Sequence, residues 1–233
     1  MITEEQMIEI LNELSIKKDK KPYWSEAQFQ FELAWEIQKK FENVKVLLEY
    51  TACSQEINGK RKRFESDIIV LFENNTYIAI ELKYKTTKSI VNGIPLIQQA
   101  GQPGTKYDYL WDIHRIELLY ERDKVNYEYH LEETCIGGYA IFLTNDSSYW
   151  GESKGTAYNF RLCNKRTITP KDNICWNVSL DNKKDWMSRK SFNLFDSYCF
   201  NWESYITYND TSTDKNKLKE FKYLITPIGD CKN

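Results

Sequence analysis

With 233 residues, 41% of them hydrophobic, and a formal net charge of −2, the chain is long enough for one large domain with a full core, and no global basicity marks a nucleic-acid binder. No run approaches the roughly 18 apolar residues of a membrane span, and the acidic start Met1-Ile2-Thr3-Glu4-Glu5-Gln6 reads as a helix cap, not a secretion signal. Cys53, Cys135, Cys163, Cys175, Cys199 and Cys231 are scattered without a Cys-x-x-Cys pair, which argues against a zinc knuckle or a disulfide scaffold and for reduced thiols in the cytoplasm.

In chain order, a short amphipathic helix carrying Ile8, Leu11 and Leu14 comes first, then the basic run Lys17-Lys18-Asp19-Lys20-Lys21. Ser25-Glu26-Ala27-Gln28 fits a capping box that opens a helix to about Phe41, with Phe29, Leu33, Ile37 and Phe41 as an i, i+4 stripe. Val44 to Tyr50 reads as a strand. A second basic run, Lys60-Arg61-Lys62-Arg63, directly precedes the apolar run Asp67-Ile68-Ile69-Val70-Leu71-Phe72. It is either a solvated hairpin tip or a patch within reach of a phosphate backbone.

The most informative segment is Thr76-Tyr77-Ile78-Ala79-Ile80-Glu81-Leu82-Lys83-Tyr84-Lys85. Side chains alternate along a strand, so Ile78, Ile80, Leu82 and Tyr84 share one face. Glu81 and Lys83 share the other, roughly 6–7 Å apart. Charges where a buried strand places apolar groups cost free energy unless they are paired or bind an ion. Glu73-Asn74-Asn75-Thr76 is the turn between the two runs, and its length decides where Asp67 lands. A two-residue turn pairs Phe72 with Tyr77 and sets Asp67 opposite Leu82. A three-residue turn pairs Phe72 with Thr76 and sets Asp67 opposite Glu81, as would a bulge near Asp67.

If the groups converge, Asp67 and Glu81 repel each other unless a cation lies between them. A hard divalent ion, Mg²⁺ or Mn²⁺, suits such oxygen ligands and can polarise a phosphoryl group and acidify a bound water. Lys83 then orients that water or stabilises charge on the phosphate. The expectation is a metal-dependent phosphodiesterase site with Asp67 and Glu81 as metal ligands. Only His114 and His130 are present, in no metal-binding pattern, and neither a phosphate loop nor a Gly-x-Ser-x-Gly elbow occurs.

The set Ser66-Asp67…Glu81-Leu82-Lys83 resembles the PD-(D/E)xK nuclease superfamily, with Ser66 where the family motif has Pro. The resemblance covers roughly residues 25–145. It implies an α/β core in which a helix is followed by a three-stranded meander, a second helix and a further strand parallel to the motif strand. It further implies a cytoplasmic nuclease acting on DNA with Mg²⁺ or Mn²⁺, in settings such as restriction, repair or defence against mobile DNA. Relatives often supply an acid from the first helix, and Glu26 is the candidate, since it shares a face with Gln30, Leu33 and Ile37. A first-turn acid favoured by the helix dipole is the competing account. Glu49, on the first strand, is a weaker candidate than Glu26 and reads rather as an exposed strand-end acid. RNA as the substrate, or an inactive nucleic-acid- or protein-binding module on the same fold, are the alternatives. Many relatives form homodimers, so the resemblance also implies a homodimer as a possible assembly.

After the motif, residues 86–95 read as a polar linker. A helical stretch follows, interrupted by Gly101-Gln102-Pro103-Gly104 and resuming from Thr105 to about Arg122. Asp112 and Arg115 read as a helix ion pair, or with Arg115 turned to a phosphate. Gly137 to Asn145 is a core strand. The polar, aromatic remainder, 146–233, is an elaboration of one domain spanning 1–233. Its Phe195, Tyr198, Phe200, Trp202, Tyr205 and Tyr208 are half-buried strand residues or base-stacking rings. Phe221 to Ile228 is a closing strand, and Asn209 to Lys217 an exposed loop. The fold class expected is α/β, a central mixed β-sheet flanked by helices.

Overall fold

The structure, a computed structural model, describes residues 1–17, 22–57, 60–122, 127–152, 155–176, 190–212 and 217–232. Most of the first basic run and the centre of the 209–217 loop therefore lie outside the described residues. The element order is α1 (Glu4–Lys17), α2 (Glu26–Lys40), β1 (Val44–Ile57), β2 (Lys60–Phe72), β3 (Thr76–Lys85), β4 (Ser89–Val91), β5 (Ile94–Leu96), α3 (Gln102–Tyr120), β6 (Glu128–Tyr129), β7 (Thr134–Thr144), β8 (Thr167–Ile168), β9 (Tyr198–Cys199), β10 (Trp202–Asp210) and β11 (Lys217–Gly229).

Both N-terminal helices open on side-chain caps. Thr3 Oγ1 accepts from Gln6 N at 3.3 Å, and Gln6 Oε1 accepts from Thr3 N at 3.0 Å. In α2, Ser25 Oγ accepts from Gln28 N at 3.1 Å, while Gln28 Oε1 reaches one residue further back, to Trp24 N, at 2.8 Å. Phe29, Leu33 and Ile37 are fully buried, so the expected stripe is the face α2 turns to the sheet.

The main sheet runs β5-β4-β10-β11-β7-β3-β2-β1-β6. β3 and β7 are parallel, and the other neighbouring pairs are antiparallel. The fold is thus α/β with a mixed central sheet. On one face α1 and α2 bury Ile68, Val70, Ile78, Ile80, Leu82 and Tyr84. On the other, α3 and the segments after β7 bury Ile69, Tyr77, Ala79, Ala140 and Phe142. The alternation expected for β3 therefore holds, and Glu81 and Lys83 lie on the α3 side.

The β2–β3 turn has three residues. Phe72 pairs with Thr76, and Asn75 takes φ 58°, a left-handed conformation Asn tolerates. Continued past the last pair, Ile68 with Ile80, this register aligns Asp67 with Glu81.

Three expectations need correction. Residues 86–95 are not a linker: β4 and β5 form a hairpin around Asn92-Gly93, both at positive φ (49° and 81°), as a two-residue turn requires. No helix lies between β5 and Gly101; α3 follows directly, with Gly101 at φ 92° as N-cap and Pro103 in the first turn, where proline loses no helical hydrogen bond. The expected closing strand, Phe221 to Ile228, lies in β11 and with β10 extends the main sheet beside β7, but the loop expected before it is shorter. Asn209 and Asp210 belong to β10, not to a loop. Tyr198, Phe200, Trp202, Tyr205 and Tyr208 are buried, hence unavailable for base stacking, while Phe195 is partly exposed. All six cysteines are unpaired, and no helix among the described residues is long and apolar enough to cross a membrane.

The parallel contact between β3 and β7 depends on absent side chains. The register slips between Tyr77 and Ala79, where Ile136 and Gly137 stand against Ile78, and Gly138 pairs with Ala79. A Cβ on Gly138 would stand 1.8 Å from Ala79 O, and one on Gly137, at φ 123°, 2.1 Å from Ile228 O. Gly138→Ala is expected to lower stability by about 1–3 kcal/mol, because the clash is with backbone and forces two core strands apart. Gly104→Ala, in α3 with open space around it, should raise stability by about 0.5–1 kcal/mol. Urea denaturation of the two variants beside the parent checks both signs.

Candidate functional site

The site forms where β2 and β3 part. Their pairing ends at Ile68 and Ile80, so the backbone N–H groups of Leu82 and Tyr84 lose strand partners on that side. Two carboxylates replace them. Asp67 Oδ2 accepts from Leu82 N at 2.6 Å, and Glu26 Oε2 accepts from Tyr84 N at 2.6 Å. A buried N–H left unpaired is costly, so the parted strands and the acids stabilise each other. Gln30 holds the divergence open from α2. Its Nε2 donates to Asp67 O and to Glu49 Oε1, both at 2.7 Å. Glu49 is exposed, as expected, but lies inside β1 rather than at its end, at φ 49°.

The side chains of Glu81 and Lys83 meet α3. Glu81 is 2% exposed. Arg115 brings Nη2 to 3.2 Å from Glu81 Oε1 and Nη1 to 3.4 Å from Oε2. Arg115 also lies 3.5 Å from Asp112 Oδ1 and donates to Glu65 O. Asp112, 4% exposed, forms a close ion pair with Lys83, whose Nζ also donates to Leu82 O at 3.2 Å. Glu81 Oε1 accepts no aligned hydrogen bond despite its nearness to Arg115.

Burial and mutual charge set the electrostatics. Burial pushes the Asp67 carboxyl up to about 6, against the opposing pull of the Leu82 N–H and of Lys83. Burial also raises Glu81 well above the ordinary carboxylate range; Asp112 and Asp67 add to this, while Arg115 and Lys83 oppose it. For Lys83, burial disfavours the charge, but Asp112 and Glu81 more than offset it and hold the ammonium above the ordinary lysine range. Lys83 is therefore a cation at neutral pH, suited to stabilise or orient rather than to accept a proton.

The structure brings Asp67, Glu81 and Lys83 together, and Glu26, from α2, lies near enough to Asp67 to raise its carboxyl. Glu26 is the first-turn acid of α2, as the helix-dipole account has it, and its carboxylate also accepts from β3. Asp112 and Arg115 do make their i, i+3 contact, but they also reach across to Lys83 and Glu81. Their spacing on α3 was the available signal, and a local ion pair satisfied it. Of the second basic run, Arg61 is tied to Glu128 at 2.8 Å and to Ser54 at 3.0 Å, whereas Lys62 and Arg63 are exposed.

Among the described residues no three acidic, histidine or cysteine side chains are arranged to hold an ion as they stand. The donors still fit a hard cation: they are oxygens, Asp67 and Glu81 adjoin, and Glu81 Oε1 lacks a hydrogen bond.

Comparisons with known proteins add no identity. No family profile and no curated protein matches the chain. A solved structure described as "Crystal structure of SSO0001" is similar at 17% identity over 61% of this chain and 59% of its own length. The TM-score is 0.24, and a superposition at that level carries no argument about fold or function.

The raised Asp67 value has a signed consequence. With its folded pKa near 6 and the unfolded value near 3.9, the group's contribution is fully present below about pH 4 and is lost as pH rises through about 6. Asp67→Asn cannot ionise. In EDTA, its stability relative to the parent should therefore improve by about 1–3 kcal/mol between pH 4 and pH 7.5. Denaturant titrations at both pH values measure this, and a difference independent of pH would contradict it.

Proposed function

We propose that the chain is a divalent-cation-dependent nuclease that hydrolyses DNA phosphodiester bonds. The observation that carries the reading is the convergence of Asp67, Glu81 and Lys83 on the parted ends of β2 and β3, with a buried carboxylate oxygen left without a hydrogen bond. The order α2, β1, β2, β3, α3, β7, with β7 parallel to β3, is also the order that the PD-(D/E)xK resemblance implies.

In this reading Asp67 and Glu81 would hold Mg²⁺ or Mn²⁺. The bound ion supplies Lewis acidity toward the scissile phosphate and lowers the pKa of a coordinated water. Asp67 has Oδ2 fixed by the Leu82 N–H, which orients the carboxylate and leaves its second oxygen for the ion. Lys83, cationic and braced by Asp112, points its ammonium at the negative charge that grows on the phosphate as water adds and the leaving oxygen departs. Glu26 fixes the end of β3 through Tyr84 N, so that Lys83, one residue earlier, keeps its place.

The test is cleavage of plasmid, linear duplex, single-stranded DNA and RNA with Mg²⁺, Mn²⁺ or EDTA. Metal-dependent cutting of DNA is expected, with Lys83→Ala reduced by about 10²–10³. RNA cut in preference to DNA would replace the substrate assignment. Binding without cutting on every substrate would favour an inactive module on the same fold. A second expectation concerns pH. The ion competes with the proton on Asp67, so cation affinity, followed by calorimetry with Mn²⁺, should fall as pH drops below about 6.

A further inference from the structure

Around the crevice stand the carboxylates Glu26, Asp67, Glu81 and Asp112 and the cations Lys83 and Arg115. The two cations are used differently. Lys83 makes its close ion pair with Asp112, not with Glu81. Arg115 faces Glu81 with both terminal nitrogens, at 3.2 and 3.4 Å, without an aligned bond to Oε1, and is anchored independently by Glu65 O. A cation held by Asp67 and Glu81 would compete with this guanidinium for the same carboxylate.

We propose that Arg115 is the resident counter-ion of the carboxylate pair: it covers Glu81 while the site holds no metal, yields it to one divalent cation, and then turns its freed edge to a substrate phosphate. This rests on the nuclease reading and adds a residue and an order of events to it. Arginine suits the role, since its planar fork serves a carboxylate and a phosphate alike and stays charged throughout. Asp112 is a positioning residue for Lys83. It remains bound to Lys83 when Arg115 moves, so the crevice never holds an unpaired lysine.

The experiment is calorimetric titration of Mn²⁺, without nucleic acid, into the parent, Arg115→Gln and Arg115→Lys, with circular dichroism to check folding. Glutamine removes the competing charge, and Mn²⁺ affinity is expected to rise roughly tenfold. Lysine keeps the charge but cannot span Glu81, Asp112 and the Glu65 carbonyl together, so a smaller rise is expected. It also serves as the informative variant should glutamine leave the buried carboxylates too poorly compensated to fold. Both variants should also lose duplex affinity relative to the parent only when the ion is present. Mn²⁺ binding by the parent at one site, with affinity equal or weaker in both variants, would overturn the counter-ion role and leave the nuclease reading intact. No Mn²⁺ binding by any of the three would overturn both.

Discussion

A carboxylate at the centre of a mixed sheet needs a partner, and much of the molecule is arranged to provide one. Glu81 sits on β3, on the face it shares with the buried residues Tyr77 and Ala79, and is 2% exposed. Removing such a charge from water costs several kcal/mol unless another charge and hydrogen bonds compensate. The compensation comes from α3, a different element, so the site exists only when α3 is docked in one register on the sheet. Asp112 and Arg115, one turn apart, then reach Lys83 and Glu81 together. The same helix buries Tyr109, Leu110, Ile113 and Ile116 against β7 and its neighbours, so apolar packing sets the register that the ion pairs require.

That docking in turn depends on the C-terminal third. Glu117, one turn after Ile113, is buried, and its Oε1 accepts from Phe195 N (2.8 Å), Asp196 N (3.0 Å) and Tyr198 OH (2.9 Å). Phe192 stacks edge-on against Trp111 and Tyr107 on the outer side of α3. The helix is therefore held between the sheet and a layer of loops, with β10 and β11 tying that layer back into the sheet. What reads along the chain as an aromatic elaboration is, in three dimensions, the back support of the site. The many tyrosines and tryptophans suit a layer made of loops. Their rings fill space while their hydroxyl and indole groups satisfy loop backbone, as Tyr107 OH does on Lys190 O and Trp202 Nε1 on Leu162 O.

The parts of this arrangement visible in the sequence are those governed by local rules. Two-residue alternation places Glu81 and Lys83 on one face, and the asparagines of the turn make the register with Asp67 available, though they do not choose between two turn lengths. The choice is made by the β1–β2–β3 meander as a whole, with Asn75 left-handed. The Ser25 cap and the 29–33–37 stripe show which way α2 faces, which is enough to point Glu26 toward the sheet. Other features obey local rules that two structures satisfy equally. Pro103 marks either a break or a first turn. Asn92-Gly93 is a clear hairpin signal, but its strands are only three residues each and carry little pattern of their own. Asp112 and Arg115 form a sufficient surface pair on any helix, and nothing in their spacing announces that the pair is inside. Gln30 shows the limit most plainly: its role is to donate to Asp67 O and Glu49, 37 and 19 residues away.

The same geometry explains why the strands part where they do. A fully zipped β2–β3 ladder would pair Leu82 N with β2 backbone and leave Asp67 to bury its carboxylate without a donor. Parting exchanges backbone acceptors for carboxylate acceptors, and bonds to ionised groups are the stronger kind. The exchange also turns acids that are costly in a closed sheet into caps for an open one. It leaves Asp67 with one oxygen committed and one uncommitted, beside a Glu81 oxygen that lacks an aligned donor. The sheet thus opens where carboxylates, not strand backbone, satisfy its N–H groups. The buried carboxylates of α3 and β3 are offset by the arginine and lysine beside them, Arg115 at Glu81 and Lys83 at Asp112.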